Sequence, residues 1–302
     1  MYLCAQMLEI CHIMNKRNLV LALWAILTIS LYSCSKGSNQ LNPAEGAAEE
    51  INISYGQDQR HKMNVLLPKG RNHETPFLLI IHDGNWTSGD KTDLKYFQDS
   101  LMRRGIATAA MNFRYASNNI HYPEMMADID EAIQYCRSRA KSWNVRIDKV
   151  MLCGRGSGGH MALLYSYNYD TENRIAAVIS AAGPTDITQT DWLNYSIVTG
   201  LIKNIELMVG AKHQIGLPVH ARFIESSPRH HIKSVPTLLL HGTSDLIVPF
   251  SQSKALSDDL TGAGYINKLV RMQGIGHDLN LQNLDTYQLI LTEVETWCKA
   301  FR

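Results

Sequence analysis

One segment limits what this chain can fold into more than any other. It is the glycine-rich run Gly154-Arg155-Gly156-Ser157-Gly158-Gly159, set between an apolar run and a helix-like one. Lys149-Val150-Met151-Leu152-Cys153 reads as a buried strand, and His160-Met161-Ala162-Leu163-Leu164-Tyr165 as a helix. A strand, a tight turn of small residues and a helix give the geometry of a nucleophile elbow, which lifts one side chain above a sheet. The elbow pattern is Gly-x-Ser-x-Gly, and counting from Gly154 puts Gly156 where the serine belongs. Two registers are open. In the first, Gly156 stands at the apex and Ser157 opens the helix. In the second, Ser157 is the nucleophile, and the large Arg155 side chain crowds the bend two residues before it. The first leaves the strand at its expected length and is preferred.

The segments on either side alternate strand and helix patterns. Strands are expected at 51–55, 63–67, 77–81, 106–113, 149–153, 175–180, 237–241 and 268–272, and helices at 93–104, 123–140, 160–165, 251–260 and 285–300. The run Phe77-Leu78-Leu79-Ile80-Ile81 is apolar throughout, as in a strand covered on both faces. Such alternation predicts an α/β fold with a mostly parallel sheet and helices on both faces. Residues 185–234 are too many for a simple connection and hold a helix-like run at 195–209. They are expected to form a cap over the carboxyl edge of the sheet.

The start of the chain reads as a targeting segment. Met14-Asn15-Lys16-Arg17 is basic, and residues 19–31 are apolar but shorter than the about 20 residues a membrane span needs. Leu31-Tyr32-Ser33-Cys34 resembles a bacterial lipobox, with Cys34 as the lipidated residue. The expected organisation is a signal segment at 1–33 (with Met14 as an alternative start), a polar tether at 34–50 and a folded domain at 51–302. The protein is then exported and meets a membrane only through its lipid anchor. A formal net charge of +1 gives no electrostatic reason to expect nucleic acid. Cys136, Cys153 and Cys298 fall on apolar faces and read as buried free thiols, and no Cys/His pair has zinc spacing.

Ligand sites in sheets of this kind lie beyond the carboxyl ends of the strands. His82-Asp83-Gly84-Asn85-Trp86, the elbow, Gly242-Thr243-Ser244-Asp245 and Gly274-Ile275-Gly276-His277 all fall there, in the chain order elbow, Asp, His. With Ser88-Gly89-Asp90-Lys91, Asn112-Phe113-Arg114, Gly158-Gly159-His160, Gly183-Pro184-Thr185-Asp186, Ser227-Pro228 and His241-Gly242, these motifs resemble the α/β-hydrolase family. The resemblance is to its carboxylesterase branch of acetylxylan/feruloyl-esterase-like and kynurenine-formamidase-like enzymes.

That resemblance implies an inherited reaction, carboxylic-ester hydrolysis on a small-molecule ester or acylated carbohydrate, with no metal or organic cofactor. It implies Asp245 as triad acid, His277 as general base, and the N–H groups of Gly84, Asn85 and Ser157 as oxyanion donors. Gly156 then stands in the nucleophile position, Ser157 is the fallback nucleophile, and the acyl-enzyme chemistry is expected to be impaired. The alternative is a non-catalytic binding protein that uses the same cleft. Asp83 replaces the family's first glycine in the oxyanion loop. A carboxylate there is unfavourable unless it points away or meets a cation, for which Arg155 is the candidate.

Overall fold

The computed structural model describes residues 46–302. The signal segment, Cys34 and residues 35–45 of the tether lie outside them. Among the described residues, eight strands form one sheet: β1 (Ala48–Ser54), β2 (Lys62–Leu67), β3 (Phe77–Ile81), β4 (Ala107–Met111), β5 (Val150–Arg155), β6 (Ile175–Ala181), β7 (Thr237–Gly242) and β8 (Asn267–Met272). Their order is β1-β2-β4-β3-β5-β6-β7-β8. β2 is antiparallel to both neighbours, and β3 through β8 run parallel. The expected mostly parallel sheet is present.

Helices cover both faces. On one side α2 (Tyr122–Trp143), α3 (Ser157–Leu164) and α7 (Phe250–Gly262) pack Met125, Ile129, Met161, Leu163 and Leu256 into one core. On the other, α1 (Lys95–Arg103) and α8 (Leu284–Ala300) bring Leu101, Ile290, Leu291 and Val294 against Leu78, Ile80, Leu238 and Leu240. Each such side chain contributes about 1.5–3 kcal/mol on full burial, offset in large part by chain entropy. The fully buried β3 explains its unbroken apolar sequence. Cys136, Cys153 and Cys298 are free and buried, and burial pushes all three thiols up.

Three elements differ from expectation. β1 begins at Ala48, inside the segment read as tether. A bulge between Glu50 and Ile53, with Asn52 at φ 58°, breaks the two-residue alternation that would have marked it. α2 is longer at both ends, opening on a reciprocal cap in which the His121 N–H donates to Glu124 Oε2 at 2.9 Å. The run at 195–209 is two helices, α4 (Thr190–Thr199) and α5 (Ile202–Val209), parted by Gly200 at φ 80°. These two and α6 (Ala221–Glu225) make up the cap inserted between β6 and β7.

Candidate active site

The sheet order locates the site. From β3 the chain crosses to β4 on one side and returns to β5 on the other. The connections leaving β3 and β5 therefore diverge and open a crevice at the strand ends. The four polar clusters expected at the carboxyl edge all follow parallel strands, namely β3, β5, β7 and β8.

After β5 the backbone reverses at Gly156, with φ 51° and ψ −122°, and α3 begins at Ser157. The apex of the turn is thus Gly156. Glycine adopts this conformation without the Cβ penalty that a serine there would carry. Gly158 allows the turn to press against β3, since a Cβ on it would fall 2.6 Å from the His82 carbonyl oxygen. Ser157 is only 3% exposed. Its hydroxyl donates to Asp83 Oδ1 at 3.1 Å, so the proton that a base would remove is already held by a carboxylate.

Asp83 is the unexpected centre of the site. Its Oδ1 accepts from the Gly84 N–H at 2.7 Å and the Ser157 N–H at 3.1 Å. Its Oδ2 lies 3.4 Å from Arg155 and 4.0 Å from His277 Nε2. Two of the three N–H groups expected to face an oxyanion therefore bind this side chain instead. The carboxylate neither points away from the cradle nor goes unpaired. A Cβ built on Gly156 would sit 2.5 Å from Asp83 Cγ and 2.6 Å from its Oδ2. Burial raises the pKa of Asp83, but the Gly84 N–H, Arg155, the Ser157 N–H and His277 outweigh it and hold the group below its ordinary value.

The loop that carries Asp83 has three successive residues at positive φ: Gly84 at 135°, Asn85 at 52° and Trp86 at 62°. Such conformations cost of order 1–3 kcal/mol for non-glycine residues and persist where the surroundings impose them. Here Trp86, 2% exposed, donates through its indole N–H to His160 Nδ1 at 3.1 Å. His160 Nε2–H donates to the Ser226 carbonyl at 2.8 Å, which fixes the ring's tautomer. Burial pushes the His160 pKa down to about 4. From the cap, Asn204 donates to Thr87 Oγ1 at 2.8 Å and to the Asn85 carbonyl at 3.4 Å.

Asp245 and His277 come together as expected. His277 Nδ1 lies 2.8 Å from Asp245 Oδ2. The loop after β7 holds the other carboxylate oxygen with the N–H groups of Ile247 at 2.8 Å and Val248 at 2.9 Å. A second imidazole also reaches Asp245. His241 Nε2 lies 3.1 Å from Oδ2 and 2.9 Å from the Val248 carbonyl, so that nitrogen carries the proton, and Nδ1 accepts from Ser253 at 2.7 Å. His241 was visible in the sequence only as part of a motif, one residue before Gly242. Burial raises the Asp245 pKa, but hydrogen bonds from His241 and His277, the charge of His277 and the Val248 N–H override it and leave the group far below the usual carboxylate range.

The chain also resembles known proteins. It is similar to a probable isoprenylcysteine alpha-carbonyl methylesterase of Arabidopsis thaliana, 23% identical over 248 residues that cover 76% of this chain and 51% of that protein. It is also similar to the kynurenine formamidase of Salmo salar, 22% identical over 262 residues, 82% of this chain and 78% of the formamidase. The chain spans between 51% and 58% of the length of three plant methylesterases it matches. Among solved structures it is similar to a truncated carbohydrate esterase from gut microbiota, with a TM-score of 0.71 at 19% identity, covering 85% of this chain and 98% of that one. Esterase 2 of Thermogutta terrifontis gives a TM-score of 0.64 at 20% identity, over 84% of this chain and 92% of the other. Residues 63–260, more than half of the chain, match the BD-FAE family. On that match, and on an eight-stranded sheet whose loops bring Gly156, Asp245 and His277 to one edge, the chain belongs to the BD-FAE family of α/β-hydrolases.

Proposed function

We propose that this protein carries the carboxylic-ester hydrolase site of its family in a form whose serine acyl-enzyme route is closed, leaving a cleft that binds an ester. One observation carries the reading: the Asp83 carboxylate occupies the space above Gly156 where a nucleophile's side chain would stand. In a serine esterase the hydroxyl attacks the carbonyl, His takes the proton, and backbone N–H groups receive the oxyanion. Here the hydroxyl is missing at the apex, and Asp83 already accepts from the Gly84 and Ser157 N–H groups. Asp245 and His277 take the roles of acid and base in this reading. Their intact 2.8 Å contact supports retention of the cleft and its ligand. The likeness to a carbohydrate esterase favours an acylated carbohydrate as that ligand.

A second reading has His277 activate water directly. It is favoured by the 4.0 Å between His277 Nε2 and Asp83 Oδ2, a gap that one water can bridge. The attack would be slow, because the donors that stabilise the tetrahedral oxyanion are committed to Asp83. A serine-directed phosphonate and an activated aryl acetate separate the readings. The first predicts no labelling at Ser157 and no turnover above background. Phosphonate-resistant turnover that His277→Ala abolishes would favour the second. Labelling of Ser157 would overturn both.

For location, we propose export and lipid anchoring through Cys34, supported by the basic Lys16-Arg17, the apolar run at 19–31 and the lipobox-like Leu31-Tyr32-Ser33-Cys34. Among the described residues, no helix is long and apolar enough to cross a membrane. Cys34→Ser should move the protein out of the membrane fraction, and unchanged fractionation would sink this proposal.

A further inference from the structure

Beside Asp83, on the face of the sheet covered by α1 and α8, lies a cavity of about 680 Å³. Ile80, Cys153 and Leu240 from β3, β5 and β7 form its floor, and Phe97, Ile290 and Val294 from α1 and α8 its walls. Protein interiors are close-packed and leave few voids larger than a water molecule. A half-open space of this size, floored by core residues, matches small-ligand sites, which run to roughly 300–1,000 Å³ and are mostly apolar.

The rim of the cavity is strained. Leu279 and Asn280, in the turn after His277, are consecutive non-glycine residues at φ 57° and 48°. Leu279 is 1% exposed and lines the cavity, as does Leu281 beyond it. Successive left-handed residues persist only where the surroundings hold them, and they cluster at ligand-binding segments.

The polar end of the cavity specifies the head group. It is lined by Asp83, Asp93 and Arg155. Arg155 is 3.4 Å from Asp83, so these two charges offset each other. Asp93 Oδ2 accepts from the Asp90 N–H at 2.9 Å, within the turn that precedes α1. Burial lowers the pKa of His82, which also lines this end, and so favours its neutral form. Nothing here offers a spare positive charge to an anionic head: Arg155 is paired with Asp83, and Asp93 stands exposed at the mouth with one oxygen held by a backbone N–H.

We propose that this cavity binds a small amphiphile with an apolar chain and an uncharged polar head, such as an ester, amide or alcohol. The chain lies between α1 and α8, and the head faces Asp83 and Arg155. This goes beyond the reading of the cleft as an ester site, because the cavity lies on the α1 and α8 face of the sheet and neither Gly156 nor His277 lines it.

The test uses the full chain with N-phenyl-1-naphthylamine as fluorescent probe, displaced by methyl dodecanoate, dodecanoate or dodecylamine below their micellar concentrations. Saturable probe binding is expected, with the methyl ester displacing it at least about tenfold better than either ion. Val294→Trp, which fills the cavity, should weaken probe binding at least about tenfold. Leu281→Trp, at the partly exposed rim, should do the same without disturbing the core, so the test stands even if the first variant misfolds. Equal probe affinity in a folded filling variant would overturn the proposal, as would stronger displacement by an ion. Absence of saturable binding would overturn it too.

Discussion

The Asp83 side chain and the Gly156 backbone occupy one site between them: the carboxylate fills the volume that a Cβ on Gly156 would need. The two departures from the family pattern are therefore coupled. Asp83 fits only beside a glycine, and a serine at position 156 fits only beside a smaller residue at position 83.

This coupling makes the single reversion insufficient. Gly156→Ser alone should leave ester hydrolysis at background and destabilise the fold by about 1–3 kcal/mol through overpacking and strain. Asp83→Gly combined with Gly156→Ser frees the Gly84 and Ser157 N–H groups, each such donor being worth about 10²–10³ in rate. Hydrolysis of p-nitrophenyl acetate should rise by at least about 100-fold in the double variant over the single one. Equal rates in the two variants would show that Asp83 does not block the site.

Asp83 should also leave a mark on acid stability. Its folded pKa lies below the ordinary value near 4, so the stabilisation is present above that value and is lost as pH falls through the folded one. Asp83→Asn should cost about 1–2 kcal/mol at pH 7. Urea denaturation at pH 7 and pH 3 should show the gap between wild type and variant closing at the lower pH.

How much of this was legible in the sequence varies with the kind of information each feature needs. The unbroken Phe77-Leu78-Leu79-Ile80-Ile81 run announced a strand buried on both faces, because burial leaves a direct mark on composition. Asp245 and His277 could be placed because each follows the end of a parallel strand, and a short loop cannot carry them far. The direction of Asp83 was not legible. It depends on three consecutive positive φ angles at 84–86, and neither composition nor periodicity encodes those. The contact of His241 with Asp245 was hidden for a different reason, since a histidine at the end of a buried strand reads the same whether it packs or donates. The cavity was invisible because a helix face lining a void has the same apolar pattern as one packed against side chains.

His160 predicts a second pH effect, at higher pH. Its folded pKa of about 4 lies below the unfolded value near 6.5, so stability is full above about pH 6.5 and is lost as pH falls toward 4. The total is about 3 kcal/mol, at no more than about 1.4 kcal/mol per pH unit. Denaturation between pH 7 and 5 should show this slope in the wild type and a flatter one in His160→Gln.

The Asp245 loop should be more sensitive than the histidine it faces. Asp245→Asn turns one acceptor oxygen into a donor against two imidazole N–H groups, or else against the N–H groups of Ile247 and Val248. The expected loss is about 3–5 kcal/mol, against about 1–2 kcal/mol for His277→Ala, whose ring is partly exposed. Chemical denaturation of the two variants gives the comparison, and a larger loss for His277→Ala would contradict it.

Three side chains fasten the cap to the elements that carry the site, two loops and the helix α3. Asn204 ties it to the loop after β3, Trp192 donates to the Ile247 carbonyl after β7, and His160 reaches the Ser226 carbonyl from α3. Raising it as a hinged cover would rupture all three fastenings together and withdraw support from the strained backbone at Asn85 and Trp86. The cap therefore serves as a fixed wall of the cleft.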